Sequence, residues 1–228
     1  MIEPTDKIGR ITLYNADCME VMKTFKDKQF DLAIVDPPYG INADKKNSKR
    51  ELKSKKSASM SKYYGNQEWD SDVPNIDYFN ELIRISKKQI IWGVNYYPYS
   101  DIFVGGRLFW DKGVTMPTYS KGELAYLSFL NSIDYVKIDW HGMIQHDMRN
   151  KEIRIHPTQK PVALYTWLLN NYAKEGDTIL DTHFGSLSIG IACEKLGFEL
   201  TAIELDKDYY RMAKQRLLDF KKQLTIEF

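Results

Sequence analysis

The run Asp31-Leu-Ala-Ile-Val-Asp36-Pro37-Pro38-Tyr39-Gly40 sets reactive groups at the end of a strand. Leu32, Ala33, Ile34 and Val35 form a short apolar run of the kind that fills a buried strand. Two consecutive prolines donate nothing to a sheet ladder, so the chain leaves the sheet at Pro37. In an open α/β sheet, ligands bind at the carboxyl ends of strands. Asp36, the Pro37 carbonyl, Pro38 and Tyr39 therefore make a stiff group at the rim of a cleft. A carboxylate, a carbonyl outside the ladder and an aromatic ring suit a planar base bearing an exocyclic amine. The two acceptors take its N–H bonds and the ring stacks on its face. The competing account of the tetrapeptide alone is a rigid strand-to-turn exit capped by Asp36.

A second group lies in the last third of the chain. Ile179-Leu-Asp181-Thr-His183-Phe184-Gly185-Ser186-Leu-Ser188 reads as strand, turn and helix start. Gly185 lets the backbone approach a ligand, and Ser186 and Ser188 are candidate helix caps. The amides of a helix N-terminus suit an anionic group such as a carboxylate. About twenty residues on, a second strand ends in Glu204, where an acid grips ribose hydroxyls in nucleotide-binding folds. His156-Pro-Thr158-Gln159-Lys160-Pro161 adds polar side chains and a cation just before a helix that Pro161 opens.

The elements that must carry these groups follow from periodicity. Ile11–Tyr14, Asp31–Val35, Gln89–Val94, Gly106–Trp110, Glu123–Phe129 and Ile133–Trp140 read as strands. Short helices are expected from Asp17 to about Phe25, and after Pro74 and Asn75 with Ile76, Phe79, Leu82 and Ile83 facing inward. From Pro161 onward helix and strand alternate. Helices begin at Pro161, Ser186 and Asp208, and strands cover Thr178–Asp181 and Leu200–Glu204. In the last helix Tyr209, Met212, Ala213 and Leu217 make the inner stripe. That alternation predicts βαβ units and a parallel sheet.

The 228 residues fit one domain, with 43% hydrophobic and 28% charged residues. A net charge of +1 gives no overall attraction to nucleic acid, so such binding must come from local clustering. Cys18 and Cys193 read as reduced, which with the lack of a membrane span or signal pattern predicts a cytoplasmic protein. The histidines lack paired acids or cysteines at ligand spacing, so no metal is expected.

Asp36-Pro-Pro-Tyr39 at the front and the glycine turn, Glu204 and His156–Pro161 at the back resemble the beta class of DNA amino-methyltransferases. The likeness runs from about Leu13 to Leu217 because four motifs agree in order. The resemblance implies a Rossmann-like, mostly parallel sheet with helices on both faces. This is the S-adenosylmethionine-dependent methyltransferase fold with a small inserted recognition region. It implies methyl transfer from S-adenosylmethionine to adenine N6 in double-stranded DNA, after the base is flipped out of the duplex. Asp36, Pro37, Pro38 and Tyr39 are then catalytic. Asp17, Cys18, Asp36, Thr158, Gln159, Lys160, Asp181, His183, Phe184, Gly185, Ser186 and Glu204 bind the cofactor. Among these, Asp17 meets the cofactor's adenine amine and doubles as a helix N-cap, Glu204 holds the ribose, and Lys160 and Ser186 lie near the carboxylate. The family's second glycine is Leu187 here and its aromatic is His183, with Phe184 as the candidate replacement for packing. The resemblance places the protein in a bacterial or phage-infected cell. A homodimer and a cognate restriction endonuclease are the partners it admits.

Lys45, Lys46, Lys49, Arg50, Lys53, Lys55, Lys56 and Lys62 face only Asp44 and Glu51 between Asp44 and Lys62. This basic loop, within residues 41–73, is expected to be mobile and to neutralise DNA phosphates. A solvated charge run without a ligand is the plainer account. Residues 111–155 are the expected target-recognition insertion, with Trp140, His141, Gln145, His146, Arg149 and Arg154 available for bases or phosphates. Three alternatives remain at this point. One is cytosine N4 as target, one is a non-catalytic DNA-binding relative with a decayed cofactor pocket, and one is methylation of RNA or protein.

Overall fold

A computed structural model describes residues 2–41, 70–117 and 120–226. The basic run from Lys45 to Lys62 lies outside the described residues. Eleven strands are described: β1 (Asp6–Ile8), β2 (Ile11–Tyr14), β3 (Phe30–Val35), β4 (Ser86–Trp92), β5 (Gly106–Asp111), β6 (Gly122–Leu127), β7 (Ile133–Lys137), β8 (Trp140–His141), β9 (Ile144–Gln145), β10 (Thr178–Asp181) and β11 (Glu199–Ile203). The helices are α1 (Cys18–Met22), α2 (Ile76–Ile85), α3 (Val162–Tyr172), α4 (Ser188–Leu196) and α5 (Lys207–Ile226). Nine strands form one sheet in the order β1-β2-β11-β10-β3-β4-β6-β5-β7. The run from β2 to β4 is parallel, while β6 lies antiparallel to both β4 and β5.

Strand alternation divides the core between the two faces of this sheet. Leu32, Ile34, Ile90 and Trp92 join the cluster under α3 and α4, with Leu164, Leu168 and Ala192. Ala33, Val35 and Ile91 join the opposite cluster, with Val21, Phe79 and Leu82 of α1 and α2. Burial on both faces explains why β3 reads as an unbroken apolar run. The inner face of α2 is Tyr78, Phe79, Leu82 and Ile85, so Phe79 and Leu82 face inward as expected, while Tyr78 and Ile85 take the places expected of Ile76 and Ile83. In α5 the buried residues include Tyr209, Tyr210, Ala213 and Leu217, so Tyr210 replaces Met212 in the expected stripe.

Two boundaries correct the expectations in a way that matters for the site. The expected strand Ile133–Trp140 ends at Lys137, and Trp140 starts the separate β8–β9 hairpin. Strands β6 and β7 are part of the main sheet, so within 111–155 only the hairpin forms a second sheet. Ser186 and Ser188 do not cap α4. Its first residue is Ser188, and Leu187 occupies the N-cap position without a side-chain cap bond. Arg216 takes the groups concerned: its Nη1 donates to the Ser186 carbonyl at 2.8 Å and to Ser188 Oγ at 3.0 Å.

Leu187, the departure from the family glycine, adopts a left-handed backbone with φ of 55°. Such a conformation costs a branched side chain on the order of 1–2 kcal/mol. Burial offsets it, because Leu187 is fully enclosed in the core. Gly190 makes the room: a Cβ there would lie 2.7 Å from Leu187 Cγ. The extra side chain thus points into the core and leaves the cleft wall to its neighbours.

Candidate active site

The connections diverge at the centre of the sheet. From β3 the chain crosses through α2 to β4 on one side, and from β10 through α4 to β11 on the other. A crevice opens between strand ends at such a point, and Asp36 and Asp181 stand on its two sides. Two cavities occupy the rim. One, of about 830 Å³, is lined by all the expected cofactor residues except Asp181. The other, of about 450 Å³, is lined by Asp36, Pro37, Pro38 and Tyr39 and by Tyr96, Trp110, Glu123 and Trp140 among others. Asp36, Pro38, Thr158, Gln159 and Lys160 belong to both walls.

Both oxygens of Asp36 are engaged. Its Oδ2 pairs with the Lys160 ammonium at 2.5 Å, and its Oδ1 accepts the Tyr39 hydroxyl at 2.5 Å. Lys160 was expected at the cofactor's carboxylate; its ammonium lies instead between Asp36 and Glu123 Oε2, the latter at 3.0 Å. Only two carboxylates can hold a cation there, because Lys160 is 3% exposed and sits just before the N-terminus of α3, whose dipole opposes it. Burial works against its charge, yet Asp36 and Glu123 hold it above the ordinary lysine value. Glu123 also pairs with Lys112. Burial tends to raise Glu123, but Lys160 and Lys112 outweigh it and bring the carboxyl down to about 2. Asp36 moves the other way: burial raises it, Lys160 opposes, and the charge on Glu123 adds to the rise.

The tetrapeptide is held from several sides. Asp70 Oδ1 accepts the Tyr39 and Gly40 amides at 2.7 and 2.9 Å. The Pro37 carbonyl, outside the sheet ladder as expected, shares the Tyr97 hydroxyl with the Trp92 carbonyl, each at 3.0 Å, and keeps a lone pair. The Tyr39 ring stacks on Tyr96 with centroids 5.0 Å apart and planes 14° apart. Its backing is Gly93, where any Cβ would come within 2.1 Å of Tyr39 and where φ is +75°. The aromatic surface at the second cavity is therefore a pair of rings.

In the larger cleft Asp17 caps α1, accepting the Met19 amide at 2.7 Å. Glu204 accepts the amides of Gly185 and Asp206, each at 2.9 Å. Burial raises Glu204 to about 7, although these N–H bonds oppose the rise. Asp181 stands behind the wall and accepts the His183 amide at 3.0 Å; burial lifts it to about 8. Gly185 lies flat on the His156 ring, which a Cβ would meet at 3.4 Å. His156 and His183 are packed, their imidazoles pushed by burial down to about 3 and about 4. Phe184 is buried against Tyr210, as the packing expectation required. Gln159 turns into its own loop, where its Oε1 accepts the Ile155 amide at 2.9 Å.

Sequence reasoning missed Glu123, Lys112, Asp70, Gly93, Tyr96 and Tyr97. Glu123 carries no local signal. Strand β6 runs against its neighbours, so its start rather than its end reaches the rim. Lys112 follows β5, which runs with β4 and delivers its carboxyl end to the same rim.

Fold and site place the chain among α/β proteins with two joined ligand clefts at the switch point of a mostly parallel sheet. The chain belongs to the DNA methylase family, whose model matches residues 95–215. The type II methyltransferase M2.MboI of Moraxella bovis is 25% identical over 269 residues, covering 99% of this chain and 93% of that protein. The type II methyltransferase M.HpaI of Haemophilus parainfluenzae is 41% identical over a shorter stretch of 68 residues, 30% of this chain and 22% of the relative. Among solved structures, the M1.HpyAVI–SAM complex superposes with a TM-score of 0.57 at 21% identity, covering 90% of this chain and 99% of that one. PvuII DNA methyltransferase (cytosine-N4-specific) gives 0.61 at 13% identity, covering 97% and 94%. These two likenesses establish the α/β methyltransferase fold. Among the described residues no helix is long and apolar enough to cross a membrane, and no cluster of His, Cys, Asp or Glu could hold a metal.

Proposed function

We propose that this DNA methyltransferase uses S-adenosylmethionine to methylate adenine N6 in double-stranded DNA. The observation that carries the reading is the shared wall: Asp36 and Pro38 face both cavities, so a donor in one and a base in the other meet across them. The larger cleft fits the cofactor. Its volume of about 830 Å³ is ample, Glu204 faces it for ribose hydroxyls, and Leu187 does not obstruct it. When bound, S-adenosylmethionine supplies a methyl group on a positive sulfonium.

The residues of the chain do the rest. Asp36 and the free lone pair of the Pro37 carbonyl accept the two N–H bonds of the flipped base. Their pull would favour a tetrahedral nitrogen with its lone pair turned towards the larger cleft. Asp36 or water would take the proton that the nitrogen sheds on being methylated. Tyr39 and Tyr96 supply the stacking surface. Asp at the first position of the tetrapeptide supports adenine over cytosine.

The β8–β9 hairpin borders the base cavity through Trp140, His141 and Gly142 and is the proposed recognition element. The basic run Lys45–Lys62 is the proposed phosphate clamp. Replacing its lysines with glutamine should flatten the slope of log affinity against log salt by about 0.9 for each phosphate left without a lysine. An unchanged slope would make the run a bystander.

Cofactor binding should release protons. Glu204 is partly protonated near its value of about 7, and ribose hydroxyls donate to the ionised form. Near neutral pH, calorimetry in buffers of different ionisation enthalpy should therefore show net proton release, and Glu204→Gln should remove it. Equal release in both proteins would refute the ribose role.

The function itself is tested by incubating the protein with unmethylated genomic DNA and labelled cofactor, then identifying the methylated nucleoside by mass spectrometry. N6-methyladenine is expected. N4-methylcytosine would overturn the target base and keep the mechanism, while methylation of RNA alone would overturn DNA as substrate.

A further inference from the structure

Asp36 carries one strong donor on each oxygen, a hydroxyl on one and an ammonium on the other. One lone pair stays on each oxygen, and the target amine competes with these donors for the carboxylate's charge, so Asp36 accepts it most strongly when one of them turns away. Both donors already lean towards a second acceptor. The Tyr39 hydroxyl lies 3.3 Å from Glu123 Oε2, and the Lys160 ammonium lies 3.0 Å from that same atom. Either donor can therefore change partner within a few tenths of an ångström, without leaving a buried polar group unmatched. The groups facing Glu123 are Asp36 and Tyr39 after β3, Lys112 after β5 and Lys160 before α3. Two lysines keep this acceptor charged, so it is ready whenever Asp36 is taken.

We propose that Glu123 is a positioning residue that draws the Tyr39 hydroxyl or the Lys160 ammonium towards itself when an N–H of the target amine bonds to Asp36. The proposal rests on the methyl-transfer reading above. It gives β6, a strand with no part in the tetrapeptide or in the cofactor motifs, a part in freeing the catalytic carboxylate for the target amine.

Glu123→Gln keeps the shape and removes the charge, and Glu123→Asp keeps the charge. For Glu123→Gln, kcat should fall about tenfold, the scale of one charge-assisted hydrogen bond, with cofactor affinity unchanged. The acid limb of the pH profile of kcat should move to lower pH, since a negative neighbour of Asp36 has gone. Glu123→Asp should return that limb towards its wild-type position. Folding support alone would lower activity without moving the limb, so a fall in kcat with an unmoved limb would overturn the proposal. Wild-type kcat and profile in the variant would do the same. Wild-type transfer in the same assay is the control: its absence defeats the parent reading, whereas its presence beside an unmoved variant profile defeats this proposal alone.

Discussion

Asp36→Asn should lower methyl transfer by about 10²–10³-fold while cofactor affinity stays at the wild-type value. Asparagine fills the same space and can still accept one hydrogen bond through its oxygen. It also turns an NH₂ group towards donors that need an acceptor, and it carries no charge to stabilise a nitrogen turning positive in the transition state. The loss should fall on kcat, because the interaction is made most strongly in the transition state. Cofactor affinity should hold because Asp36 only borders the larger cleft, whose ribose acid and glycine turn lie elsewhere. The variant should fold, since Lys160 keeps its pair with Glu123. Rates with DNA and calorimetry with the cofactor are the two measurements. A rate within about tenfold of wild type would remove Asp36 from the chemistry.

Lys160→Met should destabilise the protein by about 3–5 kcal/mol, the cost of stripping the cation from a buried ion pair. Here the cation serves two carboxylates, and its removal leaves Asp36 and Glu123 in one enclosed site where, among the described residues, Lys112 is the remaining paired cation. The effect must depend on pH, and its sign follows from linkage. Asp36 is already raised in the folded protein, and losing Lys160 raises it further. A group with a raised folded value loses its stabilising contribution as pH rises through that value. The variant should therefore be closest to wild type at the acid end of the folded pH range and furthest from it at the alkaline end. Urea unfolding across that range measures this directly. A pH-independent difference would mean that Lys160 acts by packing rather than by charge.

Much of this site is legible in the linear chain because its determinants are local. An apolar run followed by Asp36 and two prolines can only be a strand leaving its sheet, and an acid left there faces the rim. Asn75 ahead of α2, Gly197 after α4 and Pro161 before α3 fix helix ends through their own backbone requirements. Glu204 follows from the βα spacing, and Asp17 from its capping position.

What required the tertiary structure is everything that depends on strand order and direction. The antiparallel course of β6 puts Glu123 against Lys160, though 37 positions separate them in the sequence. For that reason Lys160, which sequence reasoning assigned to the cofactor's carboxylate, pairs with Asp36 and Glu123 while lining both cavities. Ser186 and Ser188, expected as caps, do not cap α4 for a similar reason. The Ser186 carbonyl and Ser188 Oγ meet Arg216, which α5 supplies from far along the chain. The sequence by itself determined the chemistry at the strand ends, since strand, turn and cap are decided within a few residues. The tertiary structure alone decided which buried charges share a partner, because that depends on the distances between elements that only the folded sheet sets.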